Sequence, residues 1–292
     1  MPKLYVVATP IGNLNDLSPR MRDALERADL IAAEDTRVTM KLLEHFGLRR
    51  PLTSCHRHNE EGKAPGIVQR MLDEDLTVAL TCDAGTPGIS DPGQALVAAC
   101  WEAGIPVEPV CGPSAVTTAL SAAGFDARVF SFHGFLPREK KPLREKLEEI
   151  RDQGIPVFVV YESPHRIAEL TEVMAEALPG CRLCVCSDLS KRFEKIYRGS
   201  AGEVRDQLKA NPNVEKGEYC VVAELPAVRA DPGEAGTARL SCRLFLADLM
   251  LDGRTASDAK AAAKEAGYPR NEIYRAMLEI DRWIRGQTDD GE

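Results

Sequence analysis

Through roughly the first 110 residues, short apolar runs of strand length alternate with segments at helical spacing, and most strand-like runs end on a polar or glycine-rich loop. Residues 4–9 read as a strand, and residues 19–28 as a helix with Met21, Ala24, Leu25 and Ala28 on one face. Residues 30–33 form a second strand, and the helix after it stops at Gly47, where a left-handed cap is expected. Strands over 77–81 and 107–110 flank a helix over 94–103. This alternation predicts an α/β fold, in which crossover helices cover both faces of a parallel sheet. The turn at Cys111-Gly112-Pro113-Ser114 marks a boundary between a first domain, 1–112, and a second α/β domain, 113–226. The second domain reads as strands over 129–132, 157–161, 183–187 and 219–223, with helices over 115–123, 142–152 and 164–178. Residues 227–238, rich in Pro, Gly and Ala, read as a linker to a helical module over 239–285. Thr255 caps one helix of that module, Gly267 and Pro269 break the pattern, and a second helix follows from 271 to 285.

Charge and composition narrow the function classes. The chain of 292 residues has 37 Lys and Arg against 45 Asp and Glu, a net charge of −8, so no basic footprint covers its whole surface and any nucleic-acid contact is local. No apolar run reaches the roughly 18 to 20 residues of a membrane helix. The first residues enter a strand without the zones of a signal peptide. Nine scattered cysteines, an odd number, suit free thiols in a reducing cytoplasm. Cys184 and Cys186 share a face if 183–187 is a strand, but no fourth ligand stands at a zinc-like spacing, and no metal is expected.

The chemistry-bearing segments all follow strands. Neither a GxxxxGK[ST] nor a GxGxxG loop occurs. Instead, residues 9–14 (TPIGNL) and 83–93 (DAGTPGISDPG) are stiff loops with little side-chain bulk, able to press backbone against a flat ligand. In an open parallel sheet such loops line the ligand crevice. Asp35 either caps the next helix or sets a carboxylate beside that crevice. His56 and His58 lie on one side if their segment is extended, as bases, as phosphate contacts, or with Glu60 as metal ligands. Ser163 and Pro164 fit a helix start, which leaves Glu162 at a strand end as a cleft candidate. Lys191 and Arg192 follow a strand, either as an exposed face or as phosphate contacts.

Eight segments in order, TPIGNLND, AAEDTR, HRHNE, DAGTPGISDPG, GPSA, GFLPR, YESPHR and LSKRFE, closely resemble the small-subunit ribosomal RNA cytidine 2′-O-methyltransferase family, within the tetrapyrrole methylase superfamily. The resemblance runs from about Lys3 to Glu224, and the tail resembles the family's C-terminal extension. It implies two unlike α/β domains with a cofactor cleft between them, plus a small C-terminal helical module, usually in a homodimer. The cofactor it implies is S-adenosylmethionine, at the positions Pro10, Ala84, Gly85, Thr86, Ile89, Ser114, Ala115 and Glu162. The implied reaction is methylation of a cytidine ribose 2′-hydroxyl in the decoding region of small-subunit rRNA, free or in the assembled subunit, with no DNA or membrane partner. Two departures stand out: Ser187-Asp188-Leu189-Ser190 replaces an Arg- and Glu-bearing run, and Cys55 stands where an aromatic residue is common.

A ribose hydroxyl is a very weak acid, so the reaction asks for a base or for a cation that favours the alkoxide. Glu34, Asp35, His56, His58, Glu162 and Lys191 are the candidates, with Lys191 and Glu162 ranked nearest the chemistry and Asp35 next. His56, His58 and Arg166 are expected at the RNA, as are Arg138 and Lys141 of the basic loop 137–142. The tail is expected to be a helix-turn-helix-like module that touches RNA or ribosomal protein, or else an appendage for dimer packing. Competing readings are a methyltransferase of a small tetrapyrrole and a non-catalytic ribosome-binding factor.

Overall fold

The computed structural model describes residues 1–226 and 242–284, and the linker expected over 227–238 lies outside the described residues. They separate into two compact units, divided after Ala227.

The first sheet of unit 1 is built from β1 (Lys3–Val7), β2 (Leu30–Ala33), β3 (Leu52–Ser54), β4 (Thr77–Thr81) and β5 (Val107–Val110), in the order β3-β2-β4-β1-β5. Every pairing is parallel. Helices α1 (Pro19–Arg27), α2 (Thr36–Phe46), α3 (Glu60–Glu74) and α4 (Gln94–Glu102) make the crossovers. Period-two alternation then divides the core: Leu4, Val78 and Leu80 pack with Ile67, Met71 and Leu96, while Tyr5, Val7 and Ala79 pack with Met21, Leu25 and Leu43. β2 is buried along its whole length, as a strand covered on both faces must be. Sequence reading did not reach β3 or α3. The strand is only three residues long, and the helix contains Gly62, Pro65 and Gly66, which mask its periodicity.

After α5 (Ala115–Ala123), a second sheet joins β6 (Phe130–Phe135), β7 (Val157–Glu162), β8 (Arg182–Ser187), β9 (Lys195–Ser200) and β10 (Tyr219–Glu224) in the order β6-β7-β10-β8-β9. Only the β6–β7 pairing is parallel. The others are antiparallel, so this sheet is mixed. Its faces differ. One packs on α6 (Lys140–Asp152), α7 (Ile167–Ala177) and α8 (Ala201–Lys209) through Phe158, Val160 and Leu183. The other carries Cys184, Cys186 and Cys220 against Val116, Ala119 and Leu120 of α5. The half-exposed β9 has no apolar period because it is a charged edge strand, and that blunts further pairing.

α7 starts at Ile167, later than the expected Pro164. The carbonyl of Ser163 accepts from both Arg166 N and Ile167 N at 3.1 Å, which tightens residues 164–166 into a turn. His56 and His58 are not on an extended segment either. Asn59 Oδ1 accepts from His56 N at 2.8 Å and Asn59 N donates back to the His56 carbonyl, which closes a turn.

Unit 2 contains α9 (Cys242–Leu251), α10 (Ala256–Glu265) and α11 (Arg270–Ile284), a third helix beyond the two expected. Thr255 Oγ1 accepts from Asp258 N at 3.2 Å and caps α10. Leu246, Ala259, Ala263, Tyr268, Ile273 and Ile280 give the unit a small core of its own.

Candidate active site

β1 and β4 are neighbours in the sheet, so the glycine-rich loops at their C-terminal ends meet. Thr9 N donates to the Gly85 carbonyl at 2.8 Å and Gly85 N to the Thr9 carbonyl at 3.0 Å, an isolated antiparallel bridge between the loops. Thr9 Oγ1 donates to the Cys82 carbonyl at 3.0 Å, and Thr86 Oγ1 to the Pro113 carbonyl at 3.4 Å, which ties the β4 loop to the start of α5. Gly93, at φ +134°, closes the loop: a Cβ there would stand 2.8 Å from Leu80 Cδ2, and its N–H donates to Glu60 Oε2. These restraints make the loop a rigid wall.

A cavity of about 380 Å³ opens against that wall, within the usual size range of small-molecule sites. Ala84, Gly85, Thr86 and Ile89 line it from the β4 loop, Ser114 and Ala115 from the start of α5, and Glu162 from the end of β7. Pro10 is not among the lining residues; its neighbour Ile11 is. Sequence reading missed Asp91, Phe135, Tyr161, Glu218 and Tyr219, which also line the cavity. Phe135 and Tyr161 stack edge to face, 5.8 Å between centroids, as an aromatic side. Asp91 was legible as a polar residue of the DAGTPGISDPG loop; the others reach the cavity only through tertiary packing.

The charged groups are arranged unequally. The Glu162 side chain is fully buried. Its Oε1 accepts from Ser163 N at 2.7 Å, while Oε2 stands 3.4 Å from the Arg166 guanidinium and has no hydrogen-bond partner among the described residues. A buried acceptor without a donor, on a cavity wall, asks for a ligand that brings a hydroxyl or ammonium group. Arg166 also donates to the Pro137 carbonyl at 2.8 Å, so its guanidinium works inside the chain instead of facing RNA as expected from sequence.

Asp35 takes the capping role. It accepts from Arg37 N at 2.8 Å, and the paired Arg37 guanidinium holds its carboxyl down at about 2. That is too acidic to serve as a base near neutral pH, and Asp35 does not line the cavity. Lys191 lies between Glu218 Oε2 at 2.7 Å and Asp188 Oδ1 at 3.2 Å. Burial works against its charge, but the hydrogen bonds and charges of those two carboxylates outweigh it and raise its pKa, so Lys191 stays a cation. Its stem crosses Gly12, where a Cβ would fall 2.4 Å from Lys191 Cγ. Ser190 Oγ donates to Asp16 across the same junction, which ties the loop after β8 to the loop after β1.

The HRHNE segment reaches the cavity rim indirectly, because Arg57 donates to the Ser90 carbonyl at 2.8 Å. His56 Nε2 faces Asn59 Nδ2 at 3.0 Å, and His58 is exposed. Arg138 and Lys141 are exposed on the approach to and start of α6. Thus the structure gathers Gly85, Ser114 and Glu162 at one cavity, sets Lys191 beside it through Glu218, and leaves Asp35, His58, Arg138 and Lys141 off its lining.

Two α/β sheets with a glycine-loop cavity define a class that comparison identifies. Residues 3–205 match the family described as Tetrapyrrole (Corrin/Porphyrin) Methylases. Among solved structures, the methyltransferase CobJ aligns with a TM-score of 0.56 at 19% identity, over 82% of this chain and 97% of that one. A diphthine synthase aligns with a TM-score of 0.55 at 14% identity, over 76% and 89%. At such identities these likenesses speak for the fold alone. Sequence relatives are nearer. A protein of Synechocystis sp. named Ribosomal RNA small subunit methyltransferase I is 39% identical over 95% of this chain and 98% of its own length. Its namesake in Escherichia coli O157:H7 is 40% identical, over 95% of each chain. The chain belongs to this family of ribosomal RNA small subunit methyltransferases within the tetrapyrrole methylases.

Proposed function

We propose that this protein transfers a methyl group from S-adenosylmethionine to the ribose 2′-hydroxyl of a cytidine in small-subunit ribosomal RNA. One observation carries the reading: the buried, donor-seeking Glu162 carboxylate and the side-chain-poor Gly85 loop share a cavity of nucleoside size. The cofactor supplies an electrophilic methyl on a sulfonium. The residues fit it: Glu162 offers an acceptor for its hydroxyl or ammonium groups, Phe135 and Tyr161 an apolar side for its base, and the bridged loops a backbone surface for the polarised methyl. Holding the acceptor oxygen in line with that methyl is the main catalytic task, since positioning alone supplies much of such a barrier. Incubating the purified protein with small subunits and labelled cofactor, then mapping ribose methylation by mass, tests the reading. Methylated cytidine at one rRNA position supports it. Methylation of a tetrapyrrole instead, or no heat on titration with the cofactor, favours the small-molecule enzyme or the non-catalytic binding factor.

The working organisation we adopt is a first domain over 1–112, a second over 113–226, a linker over 227–238 and an RNA-facing module over 239–285, in a cytoplasmic homodimer. RNA is met by local groups, the exposed His58 and the cations Arg138 and Lys141, because the net charge of −8 gives no general attraction. His56, its ring centroid 6.1 Å from that of His58, is assigned to RNA with it. Phe193 adds an aromatic surface: it is 72% exposed, with the Arg192 guanidinium 5.5 Å from its ring centroid. Bases of single-stranded RNA stack on such a ring, so Phe193→Ala is expected to weaken RNA binding by about 1–3 kcal/mol in a filter assay and to leave cofactor titration unchanged. Deleting residues 239–292 is expected to weaken small-subunit binding at least about 10-fold, a loss set by the few phosphate contacts such a module supplies. Unchanged binding by the folded truncation would assign the module to packing instead.

A further inference from the structure

We infer that Asp91 is the general base that receives the proton of the ribose hydroxyl, an assignment that rests on the proposed ribose methylation. Asp91 lines the same cavity as Glu162 and Gly85, at the rim of the β4 loop. Its carboxylate makes no hydrogen bond or ion pair among the described residues, so its lone pairs are available. The other candidates are charge-paired or stand off the cavity. Glu162 faces the Arg166 cation at 3.4 Å and its open oxygen is assigned to the cofactor, Lys191 is a paired cation, and Asp35 is capped against Arg37. Glu34 accepts from Asp83 N at 3.1 Å, and neither it nor His56 nor His58 lines the cavity.

The surroundings of Asp91 give it the proton affinity the task requires. Partial burial is the largest influence, and the carboxylates of Glu34, at the end of β2, and Asp83 add like charge, while the Arg57 guanidinium opposes them. Together they push its pKa up to about 6, where a carboxylate is ionised at neutral pH yet basic enough to take a proton. Tyr161 of β7 and the Cys82 thiol also feel its charge, and both stay protonated near neutral pH because burial raises them. The step balances: the hydroxyl O–H bond breaks as the oxygen bonds the methyl carbon, the carbon–sulfur pair returns to sulfur, and the proton ends on Asp91.

Folded Asp91 holds its proton more tightly than the unfolded chain does, so folding loses stability as pH rises from about 3.8 to about 6. Asp91→Asn removes that penalty and is therefore expected to melt no lower than the wild type at pH 7.5. The test is single-turnover methylation of small subunits by the wild type and Asp91→Asn from pH 5 to 9, with cofactor titrated calorimetrically into both. The wild-type rate is expected to rise with unit slope to a plateau above about pH 6. The variant is expected to lose about 10²-fold at the plateau, and its acidic limb, with cofactor affinity within about threefold. A flat wild-type profile overturns the assignment even if the variant fails to fold, and so does a folded variant that keeps the limb or more than about a third of the rate. A wild type that methylates at no pH sinks the ribose-methylation reading itself, a result distinct from either of these.

Discussion

Glu162→Ala is expected to lower kcat/KM for methyl transfer at least about 10²-fold and to make cofactor binding undetectable by calorimetry at concentrations that saturate the wild type. The substitution removes the acceptor that faces the cavity and leaves the Arg166 guanidinium, 20% exposed at its side chain, with the Pro137 carbonyl as its one partner among the described residues. Part of the effect is therefore structural, since an uncompensated charge in a partly buried setting is costly. Glu162→Gln separates the two. It keeps the volume and can still accept from Ser163 N, but it removes the charge opposite Arg166 and weakens the free acceptor. If Glu162 holds the cofactor, Gln binds it at least about 10-fold more weakly while melting within a few degrees of the wild type. Wild-type affinity in Glu162→Gln would mean that the orphan oxygen meets no ligand.

The second large effect is expected at Lys191. Removing this cation leaves the Asp188 and Glu218 carboxylates facing each other beside a cavity that Glu218 lines, and it removes a positive charge that favours an oxyanion there. Lys191→Ala is expected to reduce methyl transfer at least about 10²-fold. Gly12→Ala reaches the same group from the other side. Gly12 sits at φ +146°, which strains any residue with a Cβ, and that Cβ would lie 2.4 Å from Lys191 Cγ, on a stem pinned at its far end by two carboxylates. Lys191→Ala relieves the clash but not the backbone strain, so the double variant should lose less than the sum of the two single losses, measured as single-turnover rates. Additive losses would show that Gly12 serves the cleft independently of Lys191.

The glycine and proline loops were legible because their composition has few other uses: stiffness without bulk at the end of a strand marks backbone that must meet a ligand. Glu162 was legible by subtraction, as a carboxylate that helix capping did not need. Lys191 and Asp35 looked alike in sequence, each a charged residue after a strand, and only side-chain partners told them apart. Asp35 folds back on Arg37 two residues away, a local contact, whereas Lys191 is held by Glu218 from 27 residues further on. Arg166 stood in a specific motif and was assigned to RNA, yet it turns inward to Glu162 and the Pro137 carbonyl.

From sequence alone came the parallel first sheet, the strand-end loops that face a ligand, and the family, because local periodicity and short motifs are written along the chain. Tertiary structure decided the antiparallel pairings of the second sheet, the convergence of Ser114, Glu162 and Glu218 on one cavity, and the environment of Asp91. Strand order and proton affinity depend on neighbours that are distant along the chain: β10 enters between β7 and β8, and Glu34 and Arg57 act on Asp91 from loops after two other strands.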